Sequence, residues 1–97
     1  MAIRHMVIFE LNDALTDEEL EKMNATSREL LAAIPGVSDL VVGAKINPIA
    51  ERRLSGVTLT VPDRATFEAY AAHENHKLAV DAIKPYVLDA KVLQLTC

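Results

Sequence analysis

The stretch AYAAHENHKLAV, residues 69–80, carries Tyr70, His73 and His76, two of the three histidines and one of the two tyrosines in the chain. Imidazole is the side chain whose ordinary pKa lies closest to neutral pH, so it accepts a proton with little tuning. A phenol stays protonated there and donates a hydrogen bond to developing oxyanion charge. The third histidine, His5, lies far off in IRHMVIFEL. Brought together, His5, Tyr70 and His76 would move a proton on a small molecule. Each also has a plainer reading: His5 as a strand histidine bonded to backbone or water, Tyr70 as a core aromatic, and His73 as a helix-end residue whose cation suits the negative end of the dipole.

His76 is the expected base. With Asn75 as N-cap, it opens a short helix over 76–84, where the dipole disfavours a cation and the neutral ring remains available. It shares a side with Ala79, Val80 and Ile83, which should face inward. His73 is expected to be the most exposed of the three histidines. His73-x-x-His76 with His5 offers three nitrogens to a zinc-like ion, and Glu74 adds an oxygen. A helix break between the first two histidines leaves them no common geometry, so no metal is expected. There is no glycine-rich phosphate loop and no nucleophile elbow. Cys97 sits at the terminus, a poor place for a nucleophile.

The elements that must position these residues alternate. Ile3, His5, Val7, Phe9 and Leu11 form one face of a first strand, and Arg4, Met6, Ile8 and Glu10 the other. Thr16 and Glu19 form a capping box for a helix carrying Leu20, Met23, Ser27, Leu30, Leu31 and Ile34, which Pro35-Gly36 ends. A second strand runs over 37–46, with Gly43 marking a bulge or a close approach. After the loop NPIAERRLSG, Val57, Leu59 and Val61 alternate with threonines in a third strand. Asp63 caps a helix to about Ala72 that carries Phe67, Tyr70 and Ala71 on one side. Residues 86–95 form a fourth strand. The order is βαββαβ with the second helical region broken: an α+β, ferredoxin-like fold with an antiparallel four-stranded sheet and helices on one face.

Composition bounds the partners. The chain has 97 residues, 51% of them hydrophobic, and a formal charge of −4. That length predicts one domain, 1–97. No apolar run is long enough to span a bilayer, and the N-terminus lacks the pattern of a signal peptide. Lys and Arg are scattered, with ERR at 51–53 the only close basic pair, so nucleic acid is not an expected partner. A single cysteine cannot form an intrachain disulfide and fits a reducing cytoplasm. The second sheet face would expose Met6, Ile8, Val41 and one side of strand four, either Val87, Leu93 and Leu95 or Leu88 and Val92. That is more apolar surface than water tolerates, and it predicts a homodimer joined through the open sheet face.

Three segments resemble the stress-responsive dimeric α/β-barrel (Dabb) family: IRHMVIFEL with His5, LLAAIPGVSDLVVG, and the Tyr-x-x-His-x-x-His segment in TFEAYAAHENH. Two positions depart from it. Glu74 stands where the family often has proline, and Val57 where an aromatic is common. The resemblance implies a dimeric α/β barrel with a small-molecule pocket between sheet and helices, and no cofactor. Members include plant stress proteins and a polyketide cyclase that closes a ring by an aldol step. The matching positions for that chemistry are His76 as base and Tyr70 as hydroxyl, with His5 alongside. A cofactor-independent cyclase or lyase acting on a carbonyl compound is therefore the leading expectation. A non-catalytic dimer with a stress or assembly role is the alternative, in which Leu20, Met23 and Phe67 fill the pocket. A cofactorless monooxygenase is the second alternative.

Overall fold

A computed structural model describes residues 1–48 and 52–97. The chain runs β1 (Ile3–Leu11), α1 (Asp17–Ala32), β2 (Ser38–Ala44), β3 (Leu54–Val61), α2 (Arg64–Ala72), α3 (Glu74–Ile83) and β4 (Val87–Thr96). The strands form one antiparallel sheet in the order β2-β3-β1-β4. This is the ferredoxin-like arrangement, with helices on one side. Residues 49–51 of the expected loop, Glu51 among them, lie outside the described residues. Its arginines are paired, Arg52 with Glu10 at 2.6 Å and Arg53 with Asp17 at 2.5 Å.

Local chemistry sets the helix ends. The Thr16 hydroxyl accepts from the Glu19 N–H at 3.1 Å, and the Glu19 carboxylate accepts from the Thr16 N–H at 3.0 Å, so two otherwise unpaired helix-start donors are satisfied. Gly36 follows α1 at φ +87°, the left-handed region that favours glycine, and a Cβ there would collide with the Thr66 side chain. Asp63 caps α2 by accepting from the Thr66 N–H at 2.7 Å.

Two expectations about β2 change. The irregularity lies between Ser38 and Val41, with Asp39 at φ 50°, and not at Gly43. Gly43 pairs with Gly56, and nothing stands where its Cβ would be, so neither bulge nor close approach explains it.

The core has two parts. One gathers Leu31, Ile34, Val42, Val57, Leu59, Tyr70 and neighbours, and the other Leu11, Leu15, Leu20, Met23 and Ile83. Phe9 packs against both. On α2, Phe67 and Tyr70 turn inward, but Ala71 is exposed.

The other sheet face is bare. Register places Val41, Thr58, Met6 and Leu93 in one row across all four strands. Val41 is 62% exposed and Leu93 53%. Leu95 and Ile8 lie on the same face and are also exposed. Val87 does not join them. The register shift at Glu10/Leu11 pairs it with Leu11 and turns it against the second core cluster. Val92 pairs with Val7 on the helix side and stays exposed.

Candidate functional site

A cavity of about 50 Å³ lies where the two core clusters meet. Val7, Phe9 and Val57 supply its sheet wall, Ser27 and Leu31 come from α1, and Val80 and Ile83 from α3. His5, Tyr70 and His76 also line it. Tyr70 is the middle of the three, its ring centroid 4.8 Å from that of His76 and 6.0 Å from that of His5. A water needs about 10–15 Å³ of such space, so the cavity holds a few waters or a ligand of a few non-hydrogen atoms.

Two local features put His76 there. The first differs from expectation: Asn75 is not the cap. His73 ends α2 and caps α3, its Nδ1 accepting from the Asn75 N–H at 3.0 Å. The helix therefore starts at Glu74, and His76 is its third residue. Asn75 instead donates from Nδ2 to the Leu30 carbonyl at 3.0 Å, tying α3 to α1. The first helical position also explains Glu74: a carboxylate suits that end of the dipole, and proline is favoured at the same position for its fixed φ. The second feature is the His76 ring contact, Nδ1 lying 3.1 Å from the Ala71 carbonyl. A carbonyl only accepts, so Nδ1 carries the proton and donates. In the neutral ring the lone pair is then on Nε2.

His73 and His76 are both half-buried, so exposure does not set His73 apart. What does is that the His73 ring is engaged as a cap and is not part of the cavity wall. Among the described residues no three His, Cys, Asp or Glu side chains gather as metal ligands.

Burial shapes the other two groups. His5 is 6% exposed, and its pKa is lowered, first by burial and then by the nearby His76. Tyr70 is 3% exposed, and burial pushes its phenol up to about 12. These shifts link to stability with opposite signs. Unfolded His5 binds a proton more readily than folded His5, so its contribution is lost as pH falls below about 6.5. Unfolded Tyr70 gives up its proton first, so stability falls as pH rises from about 10 to about 12. Denaturant unfolding across pH should show both slopes. Tyr70→Phe should flatten the alkaline one relative to wild type, and equal slopes in the two proteins would contradict the burial account.

Ser27 and Gln94 escaped the sequence reading as site residues. Ser27 is buried and lines the cavity, and its hydroxyl makes no hydrogen bond among the described residues. A serine in a stripe of leucines was the available signal. Gln94 lies 3.1 Å from His5 through Nε2 and Nδ1, and the signal was a lone amide within VLQL. Val57, at the position where an aromatic is common, is a small side chain in the cavity wall and leaves space there.

Solved structures share this architecture. A dimeric ferredoxin-like protein of unknown function from Thermobifida fusca YX is 29% identical, with a TM-score of 0.89 over 100% of this chain and 92% of that one. A Dabb family protein with a ferredoxin-like fold from Mesorhizobium loti is 26% identical, with a TM-score of 0.84 over 99% of this chain and 96% of that one. A hydroxynitrile lyase from Passiflora edulis, 16% identical, shares the fold with a TM-score of 0.82 over 97% of this chain and 91% of that one. No curated protein matches the chain. The family model described as the stress responsive A/B barrel domain matches residues 3–97, and the chain belongs to that family, Dabb.

Proposed function

We propose that this protein is a homodimeric, cofactor-independent lyase or cyclase that moves a proton on a small carbonyl compound. His76 takes the proton at Nε2, the Tyr70 hydroxyl donates to the developing oxyanion, and His5 orients the substrate. The observation that carries this reading is the convergence of the three side chains on one cavity. Leu20 and Met23 do not fill that cavity; they pack in the cluster around Leu11 and Leu15. Phe67 sits behind His5, 4.9 Å from its ring. The hydroxynitrile lyase on the same fold supports the lyase side of the proposal. So does the volume of about 50 Å³, which suits a substrate of a few carbons better than a polyketide.

The small volume also favours a second reading, a non-catalytic dimer with a stress or assembly role. Ligand binding separates the two. Few-carbon hydroxynitriles, hydroxyaldehydes and hydroxyketones should include compounds that raise the melting temperature of the wild type, because a ligand that binds only the folded state stabilises it by mass action. The same compounds should lose their effect on His76→Ala and Tyr70→Phe. If none stabilises the wild type at millimolar concentration, the pocket is structural. The single cysteine and the absence of any helix long and apolar enough to cross a membrane, among the described residues, support a cytoplasmic placement.

A further inference from the structure

His5 offers the cavity one of two things, a lone pair or an N–H, and a chain of contacts behind it decides which. The Arg64 guanidinium donates to Gln94 Oε1 at 3.0 Å. A guanidinium has no acceptor, so the Gln94 carbonyl oxygen must face it. That turns the other end of the amide toward His5, where Nε2 lies 3.1 Å from Nδ1. An amide nitrogen only donates, so His5 Nδ1 must accept. Arg64 is itself held, with its guanidinium carbon 5.5 Å above the Phe67 ring that packs on His5.

We infer that Arg64 and Gln94 are positioning residues that lock His5 in the Nε2–H tautomer and so make it a hydrogen-bond donor to the ligand. His76 is held in the opposite tautomer by the Ala71 carbonyl. One histidine thus presents a lone pair and the other an N–H, with the Tyr70 ring in contact with both. An imidazolium at His5 would set Nδ1–H against the Gln94 amide hydrogens, which adds to the burial that already disfavours its charge. The groups facing His5 are Tyr70 and Phe67 from α2 and His76 from α3, with Arg64 beyond Gln94; the contact that Nδ1 makes is to the Gln94 amide. The donor role of His5 rests on the proposed function. The tautomer lock does not.

Ring nitrogen spectra of histidine-labelled protein, without any ligand, test the lock. At mildly alkaline pH wild-type His5 should show a pyrrole-like Nε2 and a pyridine-like Nδ1. Gln94→Glu keeps the shape but places an acceptor beside Nδ1, so the His5 pattern should invert or become that of the imidazolium, while His76 keeps its own. Arg64→Ala frees the amide to rotate and should give His5 a mixed pattern, with the backbone spectrum reporting an intact fold. A wild-type His5 carrying its proton on Nδ1, or an unchanged pattern in Gln94→Glu, would overturn the inference. If the lock holds while His5→Phe binds small carbonyl compounds as tightly as wild type, the donor role of His5 is overturned and the lock stands.

Discussion

Replacing His76 with alanine should lower turnover of any small carbonyl substrate by about a hundredfold or more, the usual cost of losing a general base. Tyr70→Phe should cost about as much, since it removes one hydroxyl aimed at developing charge and little volume. Both variants should fold. His76 is half-buried in the cavity wall, and phenylalanine preserves the ring contacts of Tyr70 with Phe67 and His76. His73→Ala separates a structural from a chemical role. It removes the cap that accepts from the Asn75 N–H, so it should cost about 1 kcal/mol of stability while leaving turnover nearly unchanged. Initial rates and melting curves on the three variants check the set. Full activity in His76→Ala would rule out the mechanism, even if ligand binding survived.

A single aspartate on the bare sheet face should have the other large effect. Leu93 lies in the row with Met6, Thr58 and Val41 and is exposed. If two copies pack this face against itself, Leu93→Asp buries a charge with no partner. Such a charge costs about 3–5 kcal/mol, which weakens association by roughly a hundredfold to several thousandfold. Ile8→Asp should act in the same direction but less, because Lys91 is its cross-strand neighbour and gives the carboxylate a partner. Sedimentation velocity at micromolar concentration should show a dimeric wild type and a monomeric Leu93→Asp. A monomeric wild type would end the dimer proposal for this protein, although solved neighbours of the fold are dimeric.

Most of the architecture was determined locally. The alternation in β1 and β3, the Thr16–Glu19 capping box, Pro35-Gly36 and Asp63 each act over a few residues, and together they specify a strand–helix order with few ways to fold. The same short-range logic put His5 on the inward face and Tyr70 on the buried side of α2. It failed where two local signals competed. Asn75 is a good cap by type, but its side chain reaches the Leu30 carbonyl on another helix, and His73 takes the cap instead. The irregularities at Ser38/Val41 and Glu10/Leu11 were also hidden, because a bulge reflects how neighbouring strands pair and leaves no fixed mark on one strand. Val87 changed faces for that reason. The chemistry of the site was decided later still. Residue types alone made imidazoles and a phenol available at positions 5, 70 and 76. Which nitrogen of each ring carries its proton depends on single contacts, to the Ala71 carbonyl in one case and to an amide 89 positions away in the other. Hydrogen-bond direction is a property of partners, and the partners of His5 meet only when β4 closes the sheet beside β1.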